Sequence, residues 1–138
     1  MTENIRLIPA KDTYPLRHDV MWPNMPINYI MLPNDEQGTH FGLFVNDALI
    51  SVVSLFIENN EAQFRKLATA NKEQGKGYGS RLLSHLIAYA VGEKVDKIWC
   101  NARADKKEFY ARFGFITTNT VFTKHKIDYV VMEKMIIR

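Results

Sequence analysis

Residues 67 to 83 read Leu67-Ala68-Thr69-Ala70-Asn71-Lys72-Glu73-Gln74-Gly75-Lys76-Gly77-Tyr78-Gly79-Ser80-Arg81-Leu82-Leu83. A strand-like run ends at Thr69, a polar loop follows, and three alternating glycines open a stretch with helical spacing. Glycine at such a junction lets the backbone turn tightly and lets a ligand approach with no Cβ in the way. A helix N-terminus adds unpaired N–H groups and the positive end of the dipole. Gln74, Gly75, Lys76, Gly77, Tyr78, Gly79, Ser80 and Arg81 therefore form a candidate anion cradle suited to phosphate or pyrophosphate, with Lys76 and Arg81 as mobile positive charges. A plain strand-to-helix turn would need fewer glycines.

Spacing excludes two better-known phosphate loops. The nucleotide P-loop requires Gly, four residues and Gly-Lys-Ser/Thr, a run absent here. The dinucleotide fingerprint requires its third glycine three positions after the second; counted from Gly77 that place is Ser80, and the glycine stands at Gly79.

The elements that must position this loop follow from periodicity. Ile5 to Ile8 alternates and predicts a strand. Lys11 to Val20 predicts a short helix, with Pro15 near its first turn. A long proline-containing loop from Trp22 to Gly38 follows, with room for one helical turn and a place for substrate contacts. His40 to Val45, the Asn46-Asp47 turn, Ala48 to Ile57, a turn at 58–60 and Glu61 to Ala70 read as an antiparallel meander. Leu82, Leu83, Leu86, Ile87, Ala90 and Val91 then recur at helical spacing, with Gly92 as the stop. Lys97 to Ala102 is the next strand. Asp105 is placed to cap a helix to Phe113, ended by Gly114. Phe115 to Thr123 and Ile127 to Ile137 close the order as a strand pair. Strand, helix, strand over 63–102 predicts one parallel crossover in an otherwise mostly antiparallel sheet. The fold class is α+β, a mixed sheet with helices on both faces, in one domain over residues 1–138.

Composition narrows the function. The chain has 138 residues, 46% hydrophobic and 24% charged, which suits a packed core rather than disorder. Its net charge of +3 permits an anionic ligand, but no basic helix or aromatic-basic stripe points to nucleic acid. The longest apolar run, Ala48 to Ile57, is too short to span a bilayer, so no membrane partner is expected. The first residues lack a basic segment followed by an apolar one, which gives no sign of a secretory signal and predicts a cytoplasmic protein. The lone Cys100 rules out an internal disulfide and reads as a small buried residue. His18, His40, His85 and His125 have no ligand spacing, so no metal is expected.

A second motif, Glu108-Phe109-Tyr110-Ala111-Arg112-Phe113-Gly114-Phe115, lies downstream of the glycines. With it, the chain from Leu7 to Met132 resembles the GNAT superfamily of acetyl-CoA-dependent N-acyltransferases. That family's signature is Gln/Arg-x-x-Gly-x-Gly/Ala, met by Gln74, Gly77 and Gly79, and Leu67-Ala68-Thr69 stands where the family ends a strand with Leu-Ala-Val. The downstream run is close to the family's Phe-Tyr-x-x-x-Gly-Phe.

The resemblance implies that strands 63–70 and 97–102 splay apart and accept the pantetheine arm of acetyl-CoA between them. It implies backbone contacts at Leu67 and Thr69, pyrophosphate held by main-chain N–H groups from Gln74 to Gly79, and an oxyanion donor at Leu67 or Ala68. Tyr110 stands where the family protonates the departing thiolate. Seven residues before Tyr110 the family often has Asn; here it is Arg103, with Asn101 two earlier, and Lys106 replaces a small residue. Asn101, Arg103 and Lys106 are carried as cofactor-side candidates. Lys106, Lys107 and Arg112 either reach the 3′-phosphate or are simply solvated.

The implied activity is acetyl transfer to a primary amine. The acceptor is a small molecule, favoured by the single short domain, or a protein amine. The alternative is a non-catalytic acyl-CoA sensor. The resemblance also allows a homodimer. His40, Glu61 and His18 are candidate bases, with none assigned, and Trp22 and Tyr29 are candidates for the acceptor wall.

Overall fold

Paired residues in left-handed backbone make the tight turns that fix the sheet's register. They are Asn46-Asp47, Asn59-Asn60 and His125-Lys126, with φ between 50° and 68°. Such turns match the right-handed twist of the strands they join. The computed structural model describes residues 2–137; Met1 and Arg138, the ends of the expected domain, lie outside the described residues.

The strands are β1 (Glu3–Ile8), β2 (Thr39–Val45), β3 (Ala48–Glu58), β4 (Glu61–Thr69), β5 (Lys97–Arg103), β6 (Ile116–Lys124) and β7 (Ile127–Met135). They form one sheet in the order β1-β2-β3-β4-β5-β7-β6. Among the described residues only β4 and β5 run parallel, joined by the crossover helix α2 (Tyr78–Gly92). The remaining helices are α1 (Tyr14–Met21) and α3 (Lys107–Ala111).

Side chains alternate across the sheet. Phe41 and Leu43 of β2 and Val53 and Leu55 of β3 form one buried cluster with Leu82, Leu83, Leu86 and Ala90 of α2. On the opposite face, Ser54 of β3 meets Arg17 of α1. The mixed sheet thus carries helices on both faces, the expected α+β class.

Several boundaries differ from expectation for local reasons. The helix expected over 11–20 is divided into a 3-10 turn at Ala10–Thr13 and then α1. Pro15 falls in the first turn of α1, where its missing N–H costs nothing and where a continuous helix would be broken. The Asp105 helix also begins as a 3-10 turn, Ala104–Lys106, and no side chain caps it or α3. Gly92 ends α2, but the left-handed residue is Lys94, at φ 65°. The long loop holds two 3-10 turns, Ile27–Ile30 and Asp35–Gln37.

That loop is pinned by a buried polar network. Arg17 Nη1 and Nη2 donate to Asp35 at 2.8 and 2.9 Å, and Nη2 also donates to Ser54 Oγ at 2.9 Å. Asp35 Oδ2 accepts from the Leu32 N–H. His40 bonds Ser54 Oγ at 2.7 Å and the Asp35 carbonyl at 2.8 Å. Buried charges of this kind are tolerated only when paired and hydrogen-bonded.

Candidate active site

The parallel pair opens after three residues. Glu61, Ala62 and Gln63 pair with Lys97, Ile98 and Trp99, and from Phe64 and Cys100 onward the two strands have no common register. Each keeps its other neighbour: β4 stays on β3 as far as Thr69, and β5 stays on β7 as far as Arg103. The cause is visible in β4. Its register against β3 shifts between Val52 and Ser54, leaving Lys66 and Leu67 without a partner position, and Lys66 sits at φ 59°. A bulge bends its strand and increases the local twist. The result is a cleft of about 900 Å³ between the strands, running toward the start of α2.

The glycine corner closes one end. Gly75 and Gly77 have φ of 81° and 87°, a region that disfavours any side chain. Gly77 is the residue before α2, and no side chain caps that helix end. A Cβ on Gly79 would lie 3.4 Å from Thr69 Oγ1, so the glycine lets the helix start press against the strand end. Gln74 Nε2 donates to the Thr69 carbonyl at 2.9 Å and ties the loop to β4. Uncapped N–H groups facing a cleft make a seat for an anion.

Among the expected site residues, Leu67, Thr69, Gln74, Gly75, Gly77, Tyr78, Gly79, Ser80, Asn101, Arg103, Lys106 and Tyr110 line this one cleft. Three do not. Ala68 is buried opposite Val52. Lys76 pairs with Glu73 at 3.1 Å. Arg81 holds Glu3 of β1 through two hydrogen bonds of 2.7 and 3.0 Å and stacks on Tyr78. The expected mobile charges are therefore each paired with an acid, Lys76 with Glu73 on the cleft wall and Arg81 with Glu3 outside it.

Tyr110 lies half-buried on α3, with its ring 5.6 Å from Phe64 and 5.1 Å from Phe109. Burial raises its hydroxyl pKa above 10.0, and the nearby Cys100 adds to this, against a smaller lowering by Arg103. The phenol thus keeps its proton at neutral pH. Burial pushes the Cys100 thiol up to about 12, which leaves a protonated, weak nucleophile on the cleft wall. Lys66 goes the other way: burial, with Arg65, Arg17 and Lys124 nearby, brings its ammonium down to about 8.

The candidate bases sit elsewhere. His40 is committed to the buried network, His18 Nε2 bonds the Met25 carbonyl at 2.6 Å, and Glu61 stands at the closed end of β4 near Lys97. Trp22 and Tyr29 pack edge-on against each other and against His125 at the β6–β7 turn. They join the long loop to that hairpin, while Val20 and Met21 reach the cleft instead. Arg112 also lines the cleft, and Lys107 does not. The sequence reading missed Phe64, Arg65 and Lys66 on the wall. Their only sequence signal was position just before Leu67, because nothing in a Lys predicts left-handed backbone.

Comparison with known proteins agrees with this architecture. The family model for the acetyltransferase (GNAT) domain matches residues 18–136. The N-acetyltransferase YitI of Bacillus subtilis, itself described as uncharacterized, is 29% identical over 94% of both chains. The ribosomal-protein-S18-alanine N-acetyltransferase of Escherichia coli shares the fold with a TM-score of 0.82 at 19% identity, over 97% of this chain and 94% of that one. A Bacillus subtilis acetyltransferase solved in complex with CoA has a TM-score of 0.76 at 18% identity, over 99% and 100% of the two chains. The chain belongs to the GNAT acetyltransferase family. Family and fold together support acyl transfer from acetyl-CoA, in a family whose solved members include CoA complexes. Among the described residues no helix is long and apolar enough to cross a membrane.

Proposed function

We propose that the chain is an N-acetyltransferase that moves an acetyl group from acetyl-CoA to a primary amine while both are bound. The observation that carries this reading is the splayed β4–β5 pair, which ends at an uncapped helix start. The donor fits on physical grounds. Unpaired strand edges can hold amide groups of an extended arm, and the Gly75–Gly79 backbone can hold a pyrophosphate.

Bound there, acetyl-CoA supplies an activated thioester: the C–S bond breaks as the acceptor nitrogen bonds the acetyl carbon, and the surplus proton on nitrogen passes to solvent. The protein's own part is mostly positioning. Leu67 and Thr69 orient the arm, and the bulge leaves the Leu67 backbone free to face the reacting carbonyl. Tyr110 holds a proton at Oη, delivers it to the leaving sulfur and regains one from solvent. Asn101, Arg103, Lys106 and Arg112 line the β5–α3 side and are placed to meet the rest of the donor. We place the enzyme in the cytoplasm, a reducing compartment in which Cys100 would stay a free thiol.

The test is thiol release from acetyl-CoA with a broad panel of amines. Turnover with any amine supports the reading. Binding of acetyl-CoA with no turnover across the panel would favour the sensor alternative, and no binding at millimolar acetyl-CoA would remove both.

A further inference from the structure

Beyond the donor site, the cleft has a second charged region. Arg65 and Lys66 line it on β4, at the far side of Leu67 from the glycine corner. Thr69, where the glycine loop is anchored, stands opposite Ser51, and Arg65 stands opposite Ser54, three positions apart on β3 and on the order of 10 Å of strand. That separation takes these two cations away from the pyrophosphate seat. Val20 and Met21 of α1 also line the cleft.

Neither cation is spent on the protein. Among the described residues, the side chains of Arg65 and Lys66 make no hydrogen bond and no ion pair. Asp35, whose charge acts on both, is already held by both terminal guanidinium nitrogens of Arg17. The other acids on the cleft wall are Glu73 and Asp105; Glu73 lies before the glycine corner and Asp105 in the turn before α3. Both Arg65 and Lys66 are half-buried, so the site concentrates positive charge in a poorly hydrated place. Lys66 is held there by backbone in a left-handed conformation that a lysine rarely adopts. An amine that is only a cation would be repelled from such a wall, while one carrying an anion would be drawn in and oriented.

We infer that the acceptor is a small amine bearing a carboxylate or phosphate group, and that Arg65 and Lys66 bind that anion while the amine faces the donor. This rests on the acetyltransferase reading and names its acceptor class. Arg65 and Lys66 are thus specificity-determining residues. Lys66 lies in the bulge that bends β4, and Arg65 stands directly before it, opposite Ser54.

The experiment compares kcat/KM for matched amines by thiol release from acetyl-CoA. Amino acids are set against their own amides, and 2-aminoethyl phosphate against ethanolamine. The two arms distinguish carboxylate from phosphate. The native protein is expected to favour the anionic member of at least one arm, on the order of ten- to a hundredfold. In Arg65→Gln and Lys66→Gln that preference is expected to collapse toward one, chiefly through KM for the acceptor, with KM for acetyl-CoA retained. Equal or better turnover of neutral or purely cationic amines would overturn this inference and leave the acetyltransferase reading standing. A Lys66→Gln variant that loses kcat but keeps the preference would make Lys66 a proton acceptor and also overturn it. No thiol release with any amine would remove the acetyltransferase reading itself.

Discussion

Arg17 and Asp35 face each other with both side chains buried, their guanidinium and carboxylate joined by hydrogen bonds of 2.8 and 2.9 Å. The pair fastens the long loop to the sheet through Ser54 and the Ile30 carbonyl. Removing one partner strands a buried charge. Asp35→Ala is expected to lower the unfolding free energy by about 3–5 kcal/mol in urea titration, and Arg17→Met with Asp35→Leu to restore most of the loss. An Asp35→Ala protein as stable as the native one would show the pair to be unimportant.

The same carboxylate sets an acid limit. Burial alone would raise Asp35, but hydrogen bonds from Arg17 and the Leu32 N–H, with the charges of Arg17 and His40, outweigh that and hold it below the ordinary 3.8. The unfolded chain therefore takes up the proton first. The pair's contribution is fully present above the ordinary value and is lost as pH falls through the depressed one. Urea midpoints between about pH 5 and pH 2 are expected to fall more steeply for the native protein than for Asp35→Ala. Parallel slopes would contradict the assignment.

Tyr110→Phe is expected to lower turnover on the order of ten- to a thousandfold, with acetyl-CoA affinity little changed. Its raised pKa adds a pH signature: deprotonation of this hydroxyl should not limit activity below the ordinary value of 10.0. Unaltered turnover would mean that water protonates the sulfur.

Two glycines should respond oppositely. Gly77→Val places a branched side chain at φ 87°, with its Cβ 3.1 Å from Arg81 Nη1, and is expected to weaken acetyl-CoA binding sharply in calorimetric titration. A Cβ on Gly92 meets open space, at the end of α2, so Gly92→Ala should raise stability by up to about 1 kcal/mol in thermal melts. Native-like affinity in Gly77→Val would separate this corner from the donor.

Much of this architecture was legible because local rules agree with the fold. The Asn46-Asp47 turn, the 3.6-residue pattern from Leu82 to Ala90 and the spacing of Gln74, Gly77 and Gly79 each depend on near neighbours in sequence. What was not legible depends on contacts far along the chain. Arg81 reads in sequence as a mobile charge beside the cradle, and nothing local shows that β1 brings Glu3 to it. His40 is one of three unassigned candidate bases in the sequence, and only the fold encloses it between Ser54 and Asp35. Lys66 gave no sign of its bulge, which arises from the register of β3 against β4.

The most direct test of the whole account is a crystal structure of the protein with CoA bound. The account predicts one CoA per chain, its pyrophosphate on the backbone of Gly75 to Gly79, its arm between β4 and β5, and its sulfur facing Tyr110. CoA seated anywhere else, or β4 and β5 closed against each other along their full length, would contradict it.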